Sequence, residues 1–273
     1  MTQSLADLLP PETLRDLQAQ DADWTFGPLS PLSGGRTNHV WQVGNRVVKH
    51  YRAGAATPLF PNDPGAEAQA LRLFAPEGLA PVLRGESGNW LLIDNIPGAI
   101  WGQGPDQDPA PVARALGRLH RLTVTDGFRE LPNGTAALRA DVLRVAAGLP
   151  MPPLPEVPDL PPAPLCPVHA DAVPGNIIDT PQNTILIDWQ CLGLGDPAED
   201  LATFLSPAMQ WLYTGRTLSA DQRARFLNDY PDRATVDRLT ALEPLFAWRI
   251  AAHCTYRAAQ GDADYAQALQ QLP

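Results

Sequence analysis

Apolar residues recur first at a spacing of two and later at three to four, and this change of period divides the chain. Residues 5–20 carry leucines at helical spacing interrupted by Pro10 and Pro11, after which Trp24-Thr25-Phe26 is predicted to open a strand. Alternation over residues 40–43 and 46–48, around the two-residue turn Gly44-Asn45, predicts a hairpin whose second arm ends at Lys49. Asp63-Pro64 starts a helical pattern that runs to Phe74, and residues 82–83 and 90–93 predict two further strands.

Helical spacing then takes over at residues 111–122 and 136–147. The proline-dense run 150–167 favours extended geometry and reads as a stiff connector inside a domain, in preference to a proline-rich ligand. Two short apolar runs, 177–178 and 185–187, flank a polar turn at 180–184 as in a hairpin. Past Leu201 the pattern is helical, with stretches 218–227, 235–252 and 255–272 broken at Pro231 and Gly261.

Composition narrows the classes of function. The 273 residues are 44% hydrophobic with a formal net charge of −10, which argues for a folded chain and against nucleic-acid binding. Cys166, Cys191 and Cys254 are far apart and odd in number, so neither a disulfide framework nor a zinc site is expected, and a reducing cytoplasm is the expected location. The N-terminus lacks the basic start and apolar core of a signal peptide, and no apolar run approaches membrane-spanning length, so no membrane partner is expected. Nothing here fixes an oligomeric state. Of the twenty Lys and Arg residues, nineteen are arginine and Lys49 is the one lysine. A generic surface cation in this chain would be arginine, so a compact ammonium at the end of a strand points to chemistry that needs a point charge, such as contact with phosphates.

The densest set of placed polar groups is CPVHADAVPGNIIDTPQNTILIDWQCLGLGDPAEDL, residues 166–201. Asp171 and Asn176 precede the hairpin and Asp188 ends it. Asn and Asp oxygens at such an edge suit Mg²⁺, which takes oxygen ligands and keeps several waters. Asp171 is left to orient or deprotonate a nucleophile. His169 reads as a structural prop of the loop, since the neighbouring Asp already supplies a carboxylate. Asp196 before Pro197, with Glu199 three residues on, is a helix-start signature. His120, closing an L-x-x-L-H stretch, reads as a core histidine; among Trp248, His253, Tyr256, Asp262, Asp264 and Tyr265, which could line a substrate pocket, the aromatics read by default as core.

HADAVPGN resembles the H-x-D-x-x-x-x-N loop of kinase-like phosphotransferases, Ile187-Asp188-Trp189 stands where those enzymes bind metal, and Gly195-Asp196-Pro197-Ala198-Glu199-Asp200-Leu201-Ala202 follows. Together these motifs resemble the aminoglycoside phosphotransferase and choline kinase family. Leu32-Ser33-Gly34-Gly35-Arg36-Thr37-Asn38 is similar to that family's L-x-G-G-x-x-N loop. The resemblance implies an α+β, bilobal protein-kinase-like fold, with a small antiparallel-sheet lobe at residues 1–97 and a mainly helical lobe at 98–273. It implies ATP and Mg²⁺ as cofactors and a small-molecule hydroxyl as acceptor; the acidic balance, with aromatic residues and acids in the helical part, favours a cationic amino alcohol or amino sugar, neutral sugars staying open. Gly34 and Gly35 would cover phosphates, and Lys49 paired with Glu67 would hold them. Asp94 and Ile96 would lie at the hinge beside the base, Asn176 and Asp188 would bind metal, and Asp171 would be catalytic. Asp200 would buttress the loop. The sequence departs from the family at Ala170, where Gly is usual, at Ala172, where Leu is usual, and at Val173, where His or Asn is common. The short distance from Asp188 to Gly195 leaves no room for the activation segment of a protein kinase. The rival is a catalytically silent module that binds a nucleotide or a partner. The intact Lys, Asp, Asn and Asp set counts against it, and Ala170 and Val173 count for it.

Overall fold

The computed structural model describes residues 5–25, 27–32, 36–104, 107–124 and 127–272. Contacts divide the chain into two units, Met1–Ala99 with Ile178–Cys191, and Ile100–Ile177 with Leu192–Pro273.

The first unit begins with helices α1 (Leu5–Leu8) and α2 (Pro11–Gln20). Its sheet contains β1 (Leu29–Pro31), β2 (His39–Val43), β3 (Arg46–His50), β4 (Leu83–Ser87) and β5 (Trp90–Asp94), with helix α3 (Pro64–Phe74) between β3 and β4 in the chain. The strands lie antiparallel in the order β1-β2-β3-β5-β4. Strand alternation sends Val48 into a core with Leu5, Leu9, Leu17, Trp24, Val43, Trp90 and Leu92. His50, on the same face, stacks on Trp90 at 4.0 Å between ring centroids. Lys49 is thereby turned to the opposite face of the sheet.

The strand expected at Trp24 starts at Leu29 instead. Trp24 is buried with Nε1 donating to Val43 O at 3.4 Å, while the Asn45 side chain accepts from Thr25 N–H at 3.0 Å and donates to Asp23 O at 3.2 Å. These local bonds use the backbone groups that a strand would have paired. Gly44 is required there twice over: its φ is +59°, and a Cβ would stand 1.8 Å from Thr25 O. At the sheet's edge, the Gln20 amide donates to Glu86 O at 2.9 Å and accepts from Glu86 N–H at 3.0 Å. It stands in for a missing strand partner.

Beyond this sheet come β6 (Ala99–Ile100), α4 (Ala110–Leu119), β7 (Arg129–Glu130), α5 (Thr135–Val145), β8 (Cys166–Val168), β9 (Ile177–Asp179), β10 (Thr184–Leu186) and β11 (Gly193–Gly195). Helices α6 (Ala198–Leu205), α7 (Pro207–Thr214), α8 (Ala220–Asp229), α9 (Arg233–Ala259) and α10 (Ala263–Leu269) complete the chain. The sequence expectation assigns everything after residue 97 to one lobe, whereas residues Ile178–Cys191 group with the N-terminal sheet. Leu186 N–H donates to Leu79 O at 2.9 Å, and the Trp189 ring lies 4.9 Å from Phe74 of α3. Sequence adjacency hides such contacts.

In the second unit, β7, β11 and β8 form a small mixed sheet, and α9 packs against α5, α6 and α10. The helices break about Pro231 and Gly261, α8 ending at Asp229, α9 running from Arg233 to Ala259 and α10 starting at Ala263, and α9 continues through the gap between the stretches 235–252 and 255–272. His253 and Cys254 are buried on its inner face, and no Gly or Pro stands between residues 245 and 260 to stop it. The proline-rich stretch carries no helix or strand before Cys166. Thr135 Oγ1 donates to Pro158 O at 2.8 Å, Asn133 Nδ2 to Ala163 O at 2.9 Å and Trp248 Nε1 to Pro152 O at 3.1 Å, which makes the stretch a tied strap. Cys166, Cys191 and Cys254 are free. No helix among the described residues is long and apolar enough to cross a membrane.

Gly117 in α4 lies against Pro231, and an added Cβ would stand 2.4 Å from the ring's Cδ and Cγ. Helix propensity favours Ala over Gly by about 1 kcal/mol, but overpacking a closed contact costs about 1–3 kcal/mol. Gly117→Ala is therefore expected to lower the melting temperature by about 2–8 °C, and a rise on thermal denaturation would show that Pro231 yields.

Candidate active site

Lys49 leaves β3 into a buried polar cluster. It is 4% exposed and Glu67 on α3 is 1% exposed. The Nζ donates to Glu67 Oε2 at 2.6 Å and also to Asp188 Oδ1, while the Tyr51 hydroxyl donates to the same Glu67 oxygen. The Tyr51 ring centroid is 4.8 Å from Nζ. Helix α3 is aimed by Asp63, whose carboxylate accepts the N–H groups of Gly65 and Ala66 at 2.9 and 3.1 Å.

Burial alone would lower the Lys49 pKa, but Asp188 and Glu67 outweigh it and hold the ammonium above its ordinary value. Burial pushes the Glu67 carboxyl upward, with Lys49 pulling it back and Asp188 adding to the rise. With Lys49 protonated, its charge offsets one of the two carboxylates it bridges. Burial, with the charges of Glu67 and Asp188 behind it, drives the Tyr51 phenol well above its usual range and keeps it a neutral donor.

A second set of bonds fixes the residues around Asp188. Asn38, from the motif that contains Gly34 and Gly35, donates through Nδ2 to Gln190 Oε1 at 2.7 Å and to Asn62 Oδ1 at 2.8 Å. Its Oδ1 accepts from Arg52 N–H at 3.1 Å. The glycine motif is thus tied, at its end, to the turn that follows Asp188. Gly34 and Gly35 themselves lie outside the described residues.

In the second unit, the candidate loop hangs from Asp200, which is fully buried. Its two carboxylate oxygens accept the N–H groups of His169 and Ala170, each at 2.8 Å, and His120 Nε2 lies 3.0 Å from Oδ2. His120 Nδ1 in turn lies 2.8 Å from the Tyr230 hydroxyl. The Asn176 amide nitrogen donates to Asp171 O at 2.9 Å and to Asp171 Oδ2 at 3.0 Å, which fixes the Asp171 side chain. Both bonds use nitrogen, so the Asn176 carbonyl oxygen is the atom suited to a cation.

Among the described residues, the non-glycine positions with positive φ are Ala170 at +61° and Asp188 at +64°. One adjoins Asp171 and the other is itself a site residue. Left-handed backbone is costly for alanine, and the two N–H bonds to Asp200 hold it there. This also gives the family's usual glycine at that position a physical reason.

The sequence-predicted residues therefore fall into two sets: Lys49, Glu67 and Asp188 meet in the first unit, and Asp171 and Asn176 in the second. Asp94 is bound by Arg84 at 2.8 Å through both oxygens and by Arg46 at 3.1 Å, and its N–H donates to Val82 O at 3.0 Å. Its carboxylate and N–H thus serve the sheet. Ile96 lies half-buried in the unpaired stretch after β5. Asp196 accepts Ala198 N–H at 3.0 Å and pairs with Arg238 at 2.6 Å, which makes the helix-start reading structural. Trp248, His253 and Tyr265 are buried, His253 held neutral by burial with its pKa lowered to about 3. Tyr51, Gln190 and Tyr230 were missed, and of these Tyr51 had a signal: two residues past Lys49, it shares the face that alternation gives the lysine.

Asp188 in the first unit and Asn176 in the second are each of the donor type that magnesium takes. Among the described residues no three His, Cys, Asp or Glu gather into a cage. Mg²⁺ needs none, since one or two protein oxygens with phosphates and water satisfy it. Asp188 offers a carboxylate whose side chain is 24% exposed, and Asn176 an amide oxygen.

Because Asp200 is fully buried and accepts both N–H groups, Asp200→Asn would set an NH₂ against one of them. The expected loss is about 1–3 kcal/mol, read as a melting temperature lower by about 2–10 °C; an unchanged value would show that the loop does not depend on this anchor.

Comparison with known proteins accords with this geometry. A curated thiamine kinase of Shigella boydii serotype 4 is 28% identical over 191 residues, covering 64% of this chain and 63% of that protein, so the match spans less than two thirds of the relative's length. A choline/ethanolamine kinase family protein from Mesorhizobium loti matches in structure with a TM-score of 0.64 at 18% identity, covering 94% of this chain and 91% of the other. The aminoglycoside phosphotransferase APH(2")-IIa, in a ternary complex with streptomycin and ATP, matches with a TM-score of 0.57 at 14% identity, covering 100% and 98%. These neighbours share a protein-kinase-like fold with this chain. The model of the phosphotransferase enzyme family matches residues 28–245, and the chain belongs to that family.

Proposed function

We propose that the protein is an ATP-dependent phosphotransferase that moves the γ-phosphate to a hydroxyl of a small molecule. The observation that carries this reading is the buried Lys49 ammonium gathered with Glu67 and Asp188. A permanent structural cation in this chain would be arginine, and a lysine that can turn between acids and phosphates suits nucleotide binding. The silent-module alternative has no residue of this set missing to support it.

In this reading Lys49, held by Glu67, binds the α- and β-phosphates, and the glycine motif at Gly34 and Gly35 covers them. The backbone about Ile96 meets the base. Asp188 and Asn176 would supply oxygens to Mg²⁺, which when bound would offset the negative charge of the phosphates. Asp171 accepts a hydrogen bond from the acceptor hydroxyl, orients it, and takes its proton as the new oxygen–phosphorus bond forms and the bond from the γ-phosphorus to the leaving ADP breaks. Three free thiols suit a reducing cytoplasm.

The acceptor we favour is a small hydroxylated cation. Thiamine, choline and ethanolamine, named in the relatives and neighbours, each join a positive nitrogen to a hydroxyl. The net charge of −10 favours approach of such a molecule. Trp248, His253 and Tyr265 are taken up by the core and lend this no support.

Asp171→Asn is expected to leave the fold and nucleotide binding near normal and to cut turnover by about 10²–10⁴-fold. Asp188→Ala, by contrast, should abolish most of the thermal stabilisation given by Mg-ATP. Comparable turnover in the first, or an undiminished thermal shift in the second, would remove that residue from its role. With choline, ethanolamine, thiamine and an aminoglycoside assayed beside neutral sugars, turnover should favour the cations and their KM should rise with salt. A neutral sugar as best substrate, indifferent to salt, would sink the cationic acceptor while leaving phosphate transfer intact.

A further inference from the structure

Lys49 is shared by two carboxylates that differ in access: the Glu67 side chain is 1% exposed and that of Asp188 is 24% exposed. An incoming cation therefore meets Asp188 first. A carboxylate that turns to a metal gives up its lysine, and Lys49 is then left to Glu67 and to the phosphates. Glu67 must stay in place through this exchange, with one of its two charged neighbours withdrawn.

The second group that touches Glu67 is Tyr51. Its hydroxyl donates to the Oε2 that also receives the Lys49 ammonium, and its ring lies 4.8 Å from Nζ. The residue is 3% exposed, and its own N–H donates to Asn89 O at 2.9 Å, so its backbone is anchored to the turn between β4 and β5. Glu67 is thus tied from α3 across to the strand that carries Lys49 by a bond independent of the lysine's charge. A phenylalanine would fill the same space, so the hydroxyl is there for its hydrogen bond.

Resting on the phosphotransferase reading, we propose that Tyr51 is a positioning residue for nucleotide binding, its hydroxyl fixing Glu67 so that Lys49 keeps one carboxylate when Asp188 turns to the metal.

The test uses the full chain and Tyr51→Phe, which keeps the ring and removes one oxygen. Loss of a hydrogen bond to a charged group should raise the Kd and KM for Mg-ATP by about 3- to 10-fold, while the KM for the acceptor stays within about twofold of wild type. A purely structural tyrosine would lower the melting temperature without this split. Because the chain has one lysine, protein grown on ¹³Cε-lysine gives a single side-chain resonance that reads Lys49 without activity. Saturating Mg-ATP should give one narrow, shifted peak in the wild type and a broadened or doubled peak in Tyr51→Phe. In a double-mutant cycle with Glu67→Gln the two losses in Mg-ATP affinity should not add, since the hydroxyl acts through Glu67. Additive losses, or a Tyr51→Phe protein with wild-type Kd and peak shape, would overturn the proposal. A wild-type protein that binds no Mg-ATP would instead overturn the nucleotide reading on which it rests.

Discussion

A charged group taken out of water must be met by opposite charge, and much of the first unit's local structure follows from meeting that demand at Lys49. Alternation along β3 sends Val48 to the core shared with Leu17 and Trp90, which commits Lys49 to the other face. There α3 supplies Glu67, and the turn after β10 supplies Asp188 in a left-handed conformation. The Asn38–Gln190 bond then ties that turn to the end of the glycine motif. Ion pair, sheet face and loop positions are linked, so a change at any one is felt at the others.

The second unit meets a buried charge with different means. Among the described residues Asp200 has no lysine or arginine on its oxygens; it is met by two backbone N–H groups and by His120. Those N–H groups belong to His169 and Ala170, so the demand of one carboxylate fixes the backbone that leads into Asp171. Backbone donors cannot swing away as side chains do. This suits a loop whose work is to hold a carboxylate in one place.

Much of this was legible in the sequence because it is local. The hairpin at Gly44-Asn45, the helix start at Asp63-Pro64 and the hairpin before Asp188 all follow from neighbouring residues. Glu67 was found as the lysine's partner because a helix start fixes its position. What escaped was set by residues distant in the chain: the grouping of residues 178–191 with the sheet depends on Leu79 and Phe74, and Asp94 is held by Arg46 and Arg84. Trp24 looked like the start of a strand since nothing local shows that Asn45 will occupy its neighbours' backbone.

The chain contains its own control for the choice of lysine. Arg249 in α9 also lies between two acids, donating to Asp141 at 3.2 Å and to Glu199 at 2.8 Å, and it is 3% exposed. Both sites set one buried cation between two carboxylates. At Arg249 the acids come from α5 and α6, the partners are all structural, and a planar fork locks them together. At Lys49 one partner, Asp188, is partly open to solvent while the other, Glu67, is buried, and the cation is a point charge on a flexible stem. A guanidinium placed there would hold both acids as firmly as Arg249 does. That firmness would oppose the release of Asp188 that the proposed metal-dependent transfer calls for; in that proposal the one lysine, beside nineteen arginines, stands where a fixed fork would be a hindrance.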